Sequence, residues 1–319
     1  MTDGEGPDAI LLAGPTASGK SDWALHLAEI LPAEIVSVDS AQVYRGFDIG
    51  SAKPSAAVRL ALPHHLVDIR DPEQSYSAGD FVEDALAAIA AVRARGRMPL
   101  LVGGTMLYFR ALVQGMASLP RADAALRRDI DARAARLGWP TLHAELERLD
   151  AESARRIHPN DAQRIQRALE VMLGSGRPIS EWQRGTVPAH ALRFGRWALV
   201  PADRGALSTR ISQRFDQMIA AGFVDEVRAL QARPGLSPEA PSLRAVGYRQ
   251  LWDHAAGGAD LGAAVERAKA ATRQLARRQL TWIRADPGWT CVDPFAPDAR
   301  ARWLDGLVAT LRQRGPKTR

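Results

Sequence analysis

One eight-residue segment restricts the possible folds of this 319-residue chain more than any other feature. It follows the apolar run 9–13 and precedes residues 21–31, where apolar side chains recur at helical spacing. A strand, a glycine-containing loop and a helix in this order match the phosphate-loop pattern. The pattern predicts backbone amides, a helix N-terminus and a lysine that bind an anion, with a hydroxyl ligand for Mg²⁺. The residues of this phosphate loop are Gly14, Pro15, Thr16, Ala17, Ser18, Gly19, Lys20 and Ser21.

The phosphate loop leaves open whether the anion is ATP or another pyrophosphate. In a nucleotide hydrolase an apolar strand ends in an Asp that holds the water shell of Mg²⁺. Here the apolar run 99–102 leads into Gly103 and Gly104, and Asp39 follows a different apolar run, 34–38. At the carboxyl edge of a parallel sheet this acid is expected beside the phosphate loop, facing an acceptor substrate. A turn cap is the alternative for Asp39, because Asp-Ser is good capping chemistry.

Apolar runs alternate with helical patterns along most of the chain, which predicts an α/β fold. Its centre is expected to be a P-loop NTPase-like parallel sheet flanked by helices. Residues 123–183 contain no strand-like run and are rich in helix formers, which predicts an inserted all-helical domain. The predicted catalytic core covers 1–117 and 195–319, and the insertion covers 118–194. Predicted strands are 9–13, 34–38, 65–69, 99–102, 197–200 and 291–292, and predicted helices include 21–31, 77–95, 207–221, 224–232 and 261–283.

Composition and charge limit the location and partners of the protein. The sequence contains no secretory segment and no apolar run near the roughly 20 residues that span a bilayer, so a cytoplasmic protein is expected. Cys291 is the single cysteine, which excludes an intramolecular disulfide and a thiolate-rich zinc site. The net charge of +6 favours a polyanionic partner, although an arginine-rich chain can also reflect coding bias. Residues 315–319 are expected to form a disordered tail.

Basic residues concentrate on the predicted helix 261–283. Lys269, Arg273 and Arg277 recur four residues apart and would repel one another unless an anion joins them. Asp and Glu are nearly absent from 268–285, which favours a nucleic-acid phosphate backbone over a solvated helix face. In the insertion, the amide and guanidinium side chains of 163–167 follow a predicted helix cap and are candidates for RNA contact.

Seven ordered motifs resemble those of bacterial tRNA dimethylallyltransferases and extend over nearly the whole chain. They are the phosphate loop 14–21, SVDSAQVY at 37–44, DIGSAKP at 48–54, LVGGTMLY at 101–108, HPND at 158–161, RAVGYR at 244–249 and TRQLARRQLTWIR at 272–284. The resemblance implies transfer of a dimethylallyl group from dimethylallyl diphosphate to the N6 amine of the adenosine next to the tRNA anticodon. Diphosphate is then the leaving group.

The resemblance also implies roles for particular residues. Asp39 is expected to accept the amine proton, Arg214 to neutralise the leaving group, and Thr105 to contact the amine or the diphosphate. Mg²⁺ near Ser21 is the expected cofactor, the anticodon stem-loop is the expected partner, and a monomer is expected. The predicted tRNA-binding residues are Asp39, Ser40, Ala41, Gln42, Thr105, Arg127, Gln163, Arg164, Ile165, Gln166, Arg167, Arg244, Ala245, Val246, Gly247, Tyr248, Arg249, Arg277, Arg278, Gln279, Thr281, Trp282 and Arg284.

Two other functions share part of this pattern. A small-molecule or nucleotide kinase has the same loop, sheet and acceptor-facing Asp, and it consumes ATP. That function gives no role to the segments 244–249 and 277–284. A non-catalytic RNA-binding module would use the loop for regulation and would bind RNA without turnover.

Overall fold

The computed structural model describes residues 6–117, 119–120, 123–184, 187–188 and 190–312. The tail predicted at 315–319 lies outside the described residues. The chain divides into two compact units, one formed by Met1–Arg110 with Ala191–Arg319 and the other by Ala111–His190. Within the described ranges, no helix is both long and apolar enough to cross a membrane.

The described strands form a single sheet in which every pair is parallel, in the order β3-β2-β4-β1-β5-β6. Every residue of β1, β2 and β4 is buried, as expected for strands covered on both faces. The predicted α/β fold with a parallel sheet is therefore confirmed. The strands are β1 Ala9–Ala13, β2 Ala33–Val38, β3 His64–His65, β4 Met98–Gly103, β5 Phe194–Leu199 and β6 Thr290–Val292.

Several helices begin at a side chain that caps their first turn. The helix predicted at 77–95 is an example: Ser77 Oγ accepts from the Asp80 amide and Asp80 Oδ2 accepts from the Ser77 amide, a capping box. The helices are α1 Lys20–Ile30, α2 Ala56–Ala61, α3 Ala78–Ala94, α4 Met106–Gln114, α5 Ala124–Leu137, α6 Trp139–Leu149, α7 Ala151–Arg156, α8 Ala162–Ser175, α9 Ile179–Gln183, α10 Arg204–Ala220, α11 Phe223–Gln231, α12 Tyr248–Ala255, α13 Leu261–Arg284 and α14 Ala299–Arg312, with a 3₁₀ turn at Pro241–Arg244.

The third predicted strand, 65–69, is wrong beyond its first residue. Leu66 and Asp68 have φ values of 62° and 58°, which an extended strand cannot contain. The Asp68 carboxylate accepts hydrogen bonds from Lys53 Nζ at 2.5 Å and Arg59 Nη1 at 2.6 Å. These long-range ion pairs accompany the left-handed backbone and end the strand at His65.

The carboxyl ends of β2 and β4 approach each other unusually closely. A Cβ atom at Gly103 would lie 2.0 Å from the Val38 carbonyl oxygen, so only glycine fits at this point. The residues that follow, Asp39 after β2 and Gly104 after β4, therefore leave the sheet side by side. This close approach positions two of the predicted site segments.

Separate apolar clusters hold the sheet and the flanking helices. On one side Trp23 of α1 packs against Trp303 of α14 with ring centroids 5.2 Å apart. Another cluster contains Phe47, Phe223 and Tyr248, in which Phe47 stacks on Tyr248 at 4.2 Å. Full burial of such side chains contributes about 1.5–3 kcal/mol each.

The unit Ala111–His190 has its own core and contains helices and no strand among its described residues. The buried Asp150 carboxylate accepts from the Ser153 amide and hydroxyl and from the Ser180 amide, which joins α7 to α9. The predicted borders at 118 and 194, and the predicted contact of this insertion with tRNA, stay predictions.

Glu226 of α11 organises the segment that follows β2. Its carboxylate accepts from the amides of Asp48, Ile49 and Gly50 at 3.1, 2.6 and 3.1 Å, and from the Tyr248 hydroxyl at 2.6 Å. Burial, followed by the charge of Glu226, raises the pKa of Tyr248 well above its usual value, so the hydroxyl stays a donor.

We predict that Glu226→Ala lowers the free energy of unfolding by about 3 kcal/mol, because three backbone amides and the buried Tyr248 hydroxyl lose a charged acceptor. Urea denaturation measures this loss, and hydrogen exchange should show faster exchange of the amides of residues 48–50. Asp225→Ala is the control, because that exposed neighbour pairs with the exposed Arg228 and should change stability by no more than about 0.5 kcal/mol. Equal losses in the two variants would contradict the role of Glu226.

Candidate active site

A cavity of about 520 Å³ lies at the carboxyl edge of the sheet, within the unit that contains the strands. Several chain segments far apart in sequence contribute to its wall. They include the phosphate loop, the turn after β2, the turn after β4, and faces of α10 and α13. The lining residues relevant to the predicted chemistry are Lys20, Ser21, Asp39, Ser40, Gln42, Thr105, Arg214, Arg278, Gln279 and Trp282.

The phosphate loop contains backbone amides that have no hydrogen-bond acceptor among the described residues. Gly19 is the N-cap of α1 at φ 90°, and no side chain caps the helix. The amides of Ala17 and Gly19 donate to no described residue, and Ser18 Oγ is buried without a partner in the described structure. Unfilled donors at a helix N-terminus form an anion-binding site.

Close packing keeps the loop in this shape. A Cβ atom at Gly14 would lie 2.9 Å from Ser18 Oγ and 3.0 Å from the Leu199 carbonyl oxygen, so the loop has no room for a side chain there. Arg210 of α10 donates from Nε to the Ala17 carbonyl oxygen at 3.1 Å, which supports the loop from outside. Sequence reasoning missed Arg210, because the contact joins residues 193 positions apart and has no local signal.

Two cations lie beside the loop without a carboxylate bonded to either. Lys20 Nζ donates to the Pro15 carbonyl oxygen at 2.7 Å. Burial, reinforced by Arg214 and opposed by Asp39, lowers the pKa of Lys20 to about 7. Burial also lowers the pKa of Arg214, against the opposing charges of Asp39 and Asp22, and its guanidinium has no hydrogen-bond partner in the described structure. The site therefore carries positive charge that an anion would stabilise.

Asp39 serves as a turn cap and also keeps a free carboxylate oxygen. Its Oδ1 accepts from the Ala41 amide at 2.8 Å and from the Gln42 amide at 3.3 Å. Its Oδ2 receives no hydrogen bond from the described residues and the side chain lines the cavity. The cap expected as the alternative is therefore present, and it leaves one oxygen available for chemistry.

Thr105 joins the turn after β4 to the turn after β2. Its Oγ1 accepts from the Ser40 amide at 3.1 Å and lies 3.5 Å from Ser40 Oγ. Gln42 holds the other side of that turn, since its Oε1 accepts from Ser37 Oγ and its Nε2 donates to the carbonyl oxygens of Ser51 and Ala52. The structure thus brings the predicted residues Asp39 and Thr105 together at one wall.

The residues present fit a Mg²⁺ ion that is shared with a bound phosphate. Ser21 contributes an exposed hydroxyl without a described partner, and the free oxygen of Asp39 lines the same cavity. No group of three His, Cys, Asp or Glu side chains able to hold a metal occurs in the described ranges. Mg²⁺ commonly takes one or two protein oxygens and completes its shell with water and phosphate oxygens, so this sparse set suits it.

Several predicted RNA-binding residues are exposed on α13 and beside α12. The guanidinium groups of Arg244, Arg249, Arg277, Arg278 and Arg284 have no hydrogen-bond partner among the described residues. Of their predicted neighbours, Ala245, Val246 and Trp282 line the cavity, Gly247 and Tyr248 are buried, and the Thr281 hydroxyl donates to the Arg277 carbonyl oxygen.

Part of the predicted cation row on α13 is wrong. Lys269 Nζ bonds to Asp216 of α10 at 2.7 Å and to Glu266 at 3.1 Å, so this lysine belongs to helix packing. Arg273 lies 3.5 Å from Ser212 Oγ of α10. The acids that neutralise Lys269 precede the segment 268–285, which is why the scarcity of acids inside that segment misled the prediction.

In the insertion, most of the predicted RNA-binding side chains have partners within the protein. Arg127 and Arg167 both bond to the buried Glu170, and Gln166 donates to Asp131 at 2.7 Å. Arg164 pairs with Asp161 at 3.2 Å, whereas Gln163 is exposed without a described partner. Ile165 is completely buried in the core of the insertion, so its side chain packs there, and its contact with RNA stays a prediction.

Comparison with known proteins extends over nearly the entire chain. The family model described as IPP transferase matches residues 42–286. The tRNA dimethylallyltransferase of Bordetella pertussis is 56% identical over 310 residues, covering 96% of this chain and 99% of that protein. The protein of the same name from Aromatoleum aromaticum is 58% identical over 297 residues, covering 92% and 93%.

Solved structures are also similar to this chain over most of its length. The tRNA isopentenylpyrophosphate transferase of Bacillus halodurans has a TM-score of 0.69 at 34% identity, covering 96% of this chain and 97% of that one. A eukaryotic dimethylallyltransferase acting on tRNA has a TM-score of 0.78 at 26% identity, covering 97% and 81%. With sequence, fold and site in agreement, this chain belongs to the IPP transferase family.

Proposed function

We propose that this chain transfers a dimethylallyl group from dimethylallyl diphosphate to the N6 amine of the adenosine next to the tRNA anticodon. The names of its relatives point to the tRNA and to the prenyl group. The observation that carries the proposal is one cavity that combines unfilled loop amides, two cations and a free carboxylate oxygen. The kinase alternative is not favoured, because relatives of this identity are named as prenyltransferases.

The loop side of the cavity suits departure of diphosphate. When the bond between C1 of the allyl group and the diphosphate oxygen breaks, its electron pair leaves with the oxygen. The amides of the phosphate loop, Lys20 and Arg214 are already oriented towards this region, so they stabilise the growing charge without reorganising. In this proposal the phosphate loop binds the diphosphate leaving group, and ATP hydrolysis is not required.

The wall that contains Asp39 and Thr105 suits the incoming nucleophile. An adenine N6 amine is a weak nucleophile, because its lone pair is drawn into the ring. As N6 bonds to C1, it loses a proton, and the free Oδ2 of Asp39 is the proposed acceptor. Thr105, fixed to the Ser40 amide, is proposed to orient the amine or the diphosphate.

Mg²⁺ is the proposed cofactor, held by Ser21 with phosphate oxygens and water. Bound there, it would supply additional positive charge against the diphosphate oxygens.

The anticodon stem-loop is the proposed macromolecular partner, and the enzyme is proposed to act as a cytoplasmic monomer. The exposed Arg277, Arg278 and Arg284 suit phosphate contacts, since they lack acidic partners among the described residues. The target adenine must leave its stack to reach the cavity, as in other enzymes that modify bases.

A labelling assay tests the proposed function directly. Unmodified tRNA is incubated with the protein and radiolabelled dimethylallyl diphosphate, and in parallel with labelled ATP. Label from the prenyl donor should appear in the tRNA. ATP turnover without prenyl transfer would establish a kinase or ATPase instead, and binding of tRNA without either would indicate a regulatory RNA-binding module.

We predict that Asp39→Asn lowers kcat of prenyl transfer by about 100- to 10,000-fold, because an amide caps the turn but cannot accept the proton. Single-turnover kinetics measure the loss, and an unchanged melting temperature confirms that the turn is intact. Asp225→Asn, an exposed substitution on α11, is the matched control and should retain full activity. A kcat within a few-fold of the wild type would remove Asp39 from its proposed role.

The lowered pKa of Lys20 predicts that donor binding takes up a proton. In the free protein the lysine is mostly neutral above pH 7, and the bound diphosphate favours the ammonium form. Affinity for dimethylallyl diphosphate should therefore fall as the pH rises above 7, by up to about tenfold per pH unit.

Calorimetry without tRNA measures this uptake at pH 8, in two buffers of different ionisation enthalpy. The wild type should take up close to one proton per donor bound. Lys20→Arg is the control, because a guanidinium is always protonated and binding should then take up none. Equal uptake by the two proteins would assign the proton to another group.

A further inference from the structure

Gln279 is a buried polar residue on the otherwise apolar inner face of α13. Its residue surface is 8% exposed, and the other buried residues of this helix are Ala264, Ala268, Ala276, Leu280 and Ile283. A buried amide requires hydrogen-bond partners, because a buried polar group without a hydrogen bond lowers stability by about 1–3 kcal/mol. The function of Gln279 therefore depends on which groups it bonds.

The amide of Gln279 connects two segments that are far apart in sequence. Its Oε1 accepts from the backbone amide of Thr16 at 3.0 Å, and its Nε2 donates to the carbonyl oxygen of Gly104 at 2.8 Å. The partners fix the orientation of the side-chain amide, since a backbone N–H requires an acceptor and a carbonyl requires a donor.

Gly104 lies directly against the Gln279 amide. A Cβ atom at Gly104 would lie 2.3 Å from Gln279 Nε2, so the glycine allows the backbone to approach the amide directly. The same hypothetical atom would lie 3.3 Å from the Gly14 carbonyl oxygen, which places the phosphate loop against this turn.

These contacts connect the two halves of the proposed reaction. Thr16 belongs to the phosphate loop, and Gly104 directly precedes Thr105, whose hydroxyl holds the Ser40 amide beside Asp39. One side chain therefore spans from the donor-binding loop to the turn that carries the proposed acceptor residues.

We propose that Gln279 is a positioning residue that sets the separation between the diphosphate-binding loop and the Asp39–Thr105 wall. This inference rests on the proposed function, because it takes the loop as the donor site. Both ends of the Gln279 amide are bonded inside the protein, so the role assigned to Gln279 is to hold these two segments together. Its helix also carries the exposed Arg277 and Arg284, so RNA seated on α13 and the donor loop share one rigid support.

Gln279→Met tests the proposal, since methionine has a similar length and makes neither hydrogen bond. We expect binding of inorganic diphosphate, measured by calorimetry, to weaken about tenfold, and kcat of prenyl transfer to fall by a similar or larger factor. The dissociation constant for tRNA, measured by fluorescence anisotropy, should stay within twofold of the wild type. Arg284→Ala should give the opposite pattern, with weaker tRNA binding and unchanged diphosphate binding.

Gln274→Met is the matched control, because Gln274 is an exposed glutamine of the same helix and should tolerate the same change. Weaker tRNA binding by Gln279→Met with unchanged diphosphate binding would make Gln279 an RNA contact and overturn the proposal. A Gln279→Met variant with wild-type kcat and wild-type diphosphate binding would also overturn the proposal. Diphosphate binding requires no prenyl transfer, so a failure of the proposed function is distinguishable from a failure of this inference.

Gln279→Glu provides a second test, the pH dependence of diphosphate binding, which a simple loss of packing would not change. An ionised carboxylate accepts from the Thr16 amide but repels the Gly104 carbonyl oxygen, whereas a protonated one also donates to Gly104. Burial raises a carboxyl pKa, so the protonated form grows as the pH falls from 8 to 5. The ratio of variant to wild-type dissociation constants for diphosphate should fall over this range, and a constant ratio would contradict the bridging role.

Discussion

The parallel direction of β1, β2 and β4 is the constraint on which the site depends. Parallel strands end at one edge of a sheet, so whatever follows each strand meets there. The phosphate loop follows β1, Asp39 follows β2 and Gly104 follows β4. The close approach of Gly103 to Val38 reduces the spacing further, and one antiparallel strand among these three would separate the groups.

The same edge concentrates groups that are unfavourable in the free protein. Unbonded loop amides, the buried Ser18 hydroxyl and the desolvated Lys20 each lower stability in the absence of an anion. Stability is supplied elsewhere, by the fully buried central strands and the aromatic clusters around Trp23 and Phe47. An anion that accepts hydrogen bonds from these donors is bound strongly, because folding has already desolvated and oriented them.

The local sequence pattern was sufficient to predict the strands and helices that have strong hydrophobic periodicity or clear capping residues. The strand, loop and helix around residues 9–31 and the capping box at Ser77 were predictable because neighbours along the chain determine them. The strand at 65–69 was mispredicted, since Lys53 and Arg59 bond Asp68 in a backbone conformation that composition does not reveal. Motifs identified residues that line the edge of the sheet, but they did not predict the contacts that hold these residues in place: Gln279 bonds groups 263 and 175 residues away.

Asp39 shows why a structural and a catalytic interpretation of one residue need not compete. A carboxylate has two oxygens, and the turn uses only Oδ1. Those two hydrogen bonds hold the side chain in one orientation, which also fixes the direction of the free Oδ2. A base that is already oriented loses little conformational freedom when the substrate amine arrives, so more of the binding energy is available to the transition state. The cap therefore orients the proposed proton acceptor, and the hydrogen bond between Thr105 and the adjacent Ser40 amide extends the same restraint to the turn after β4.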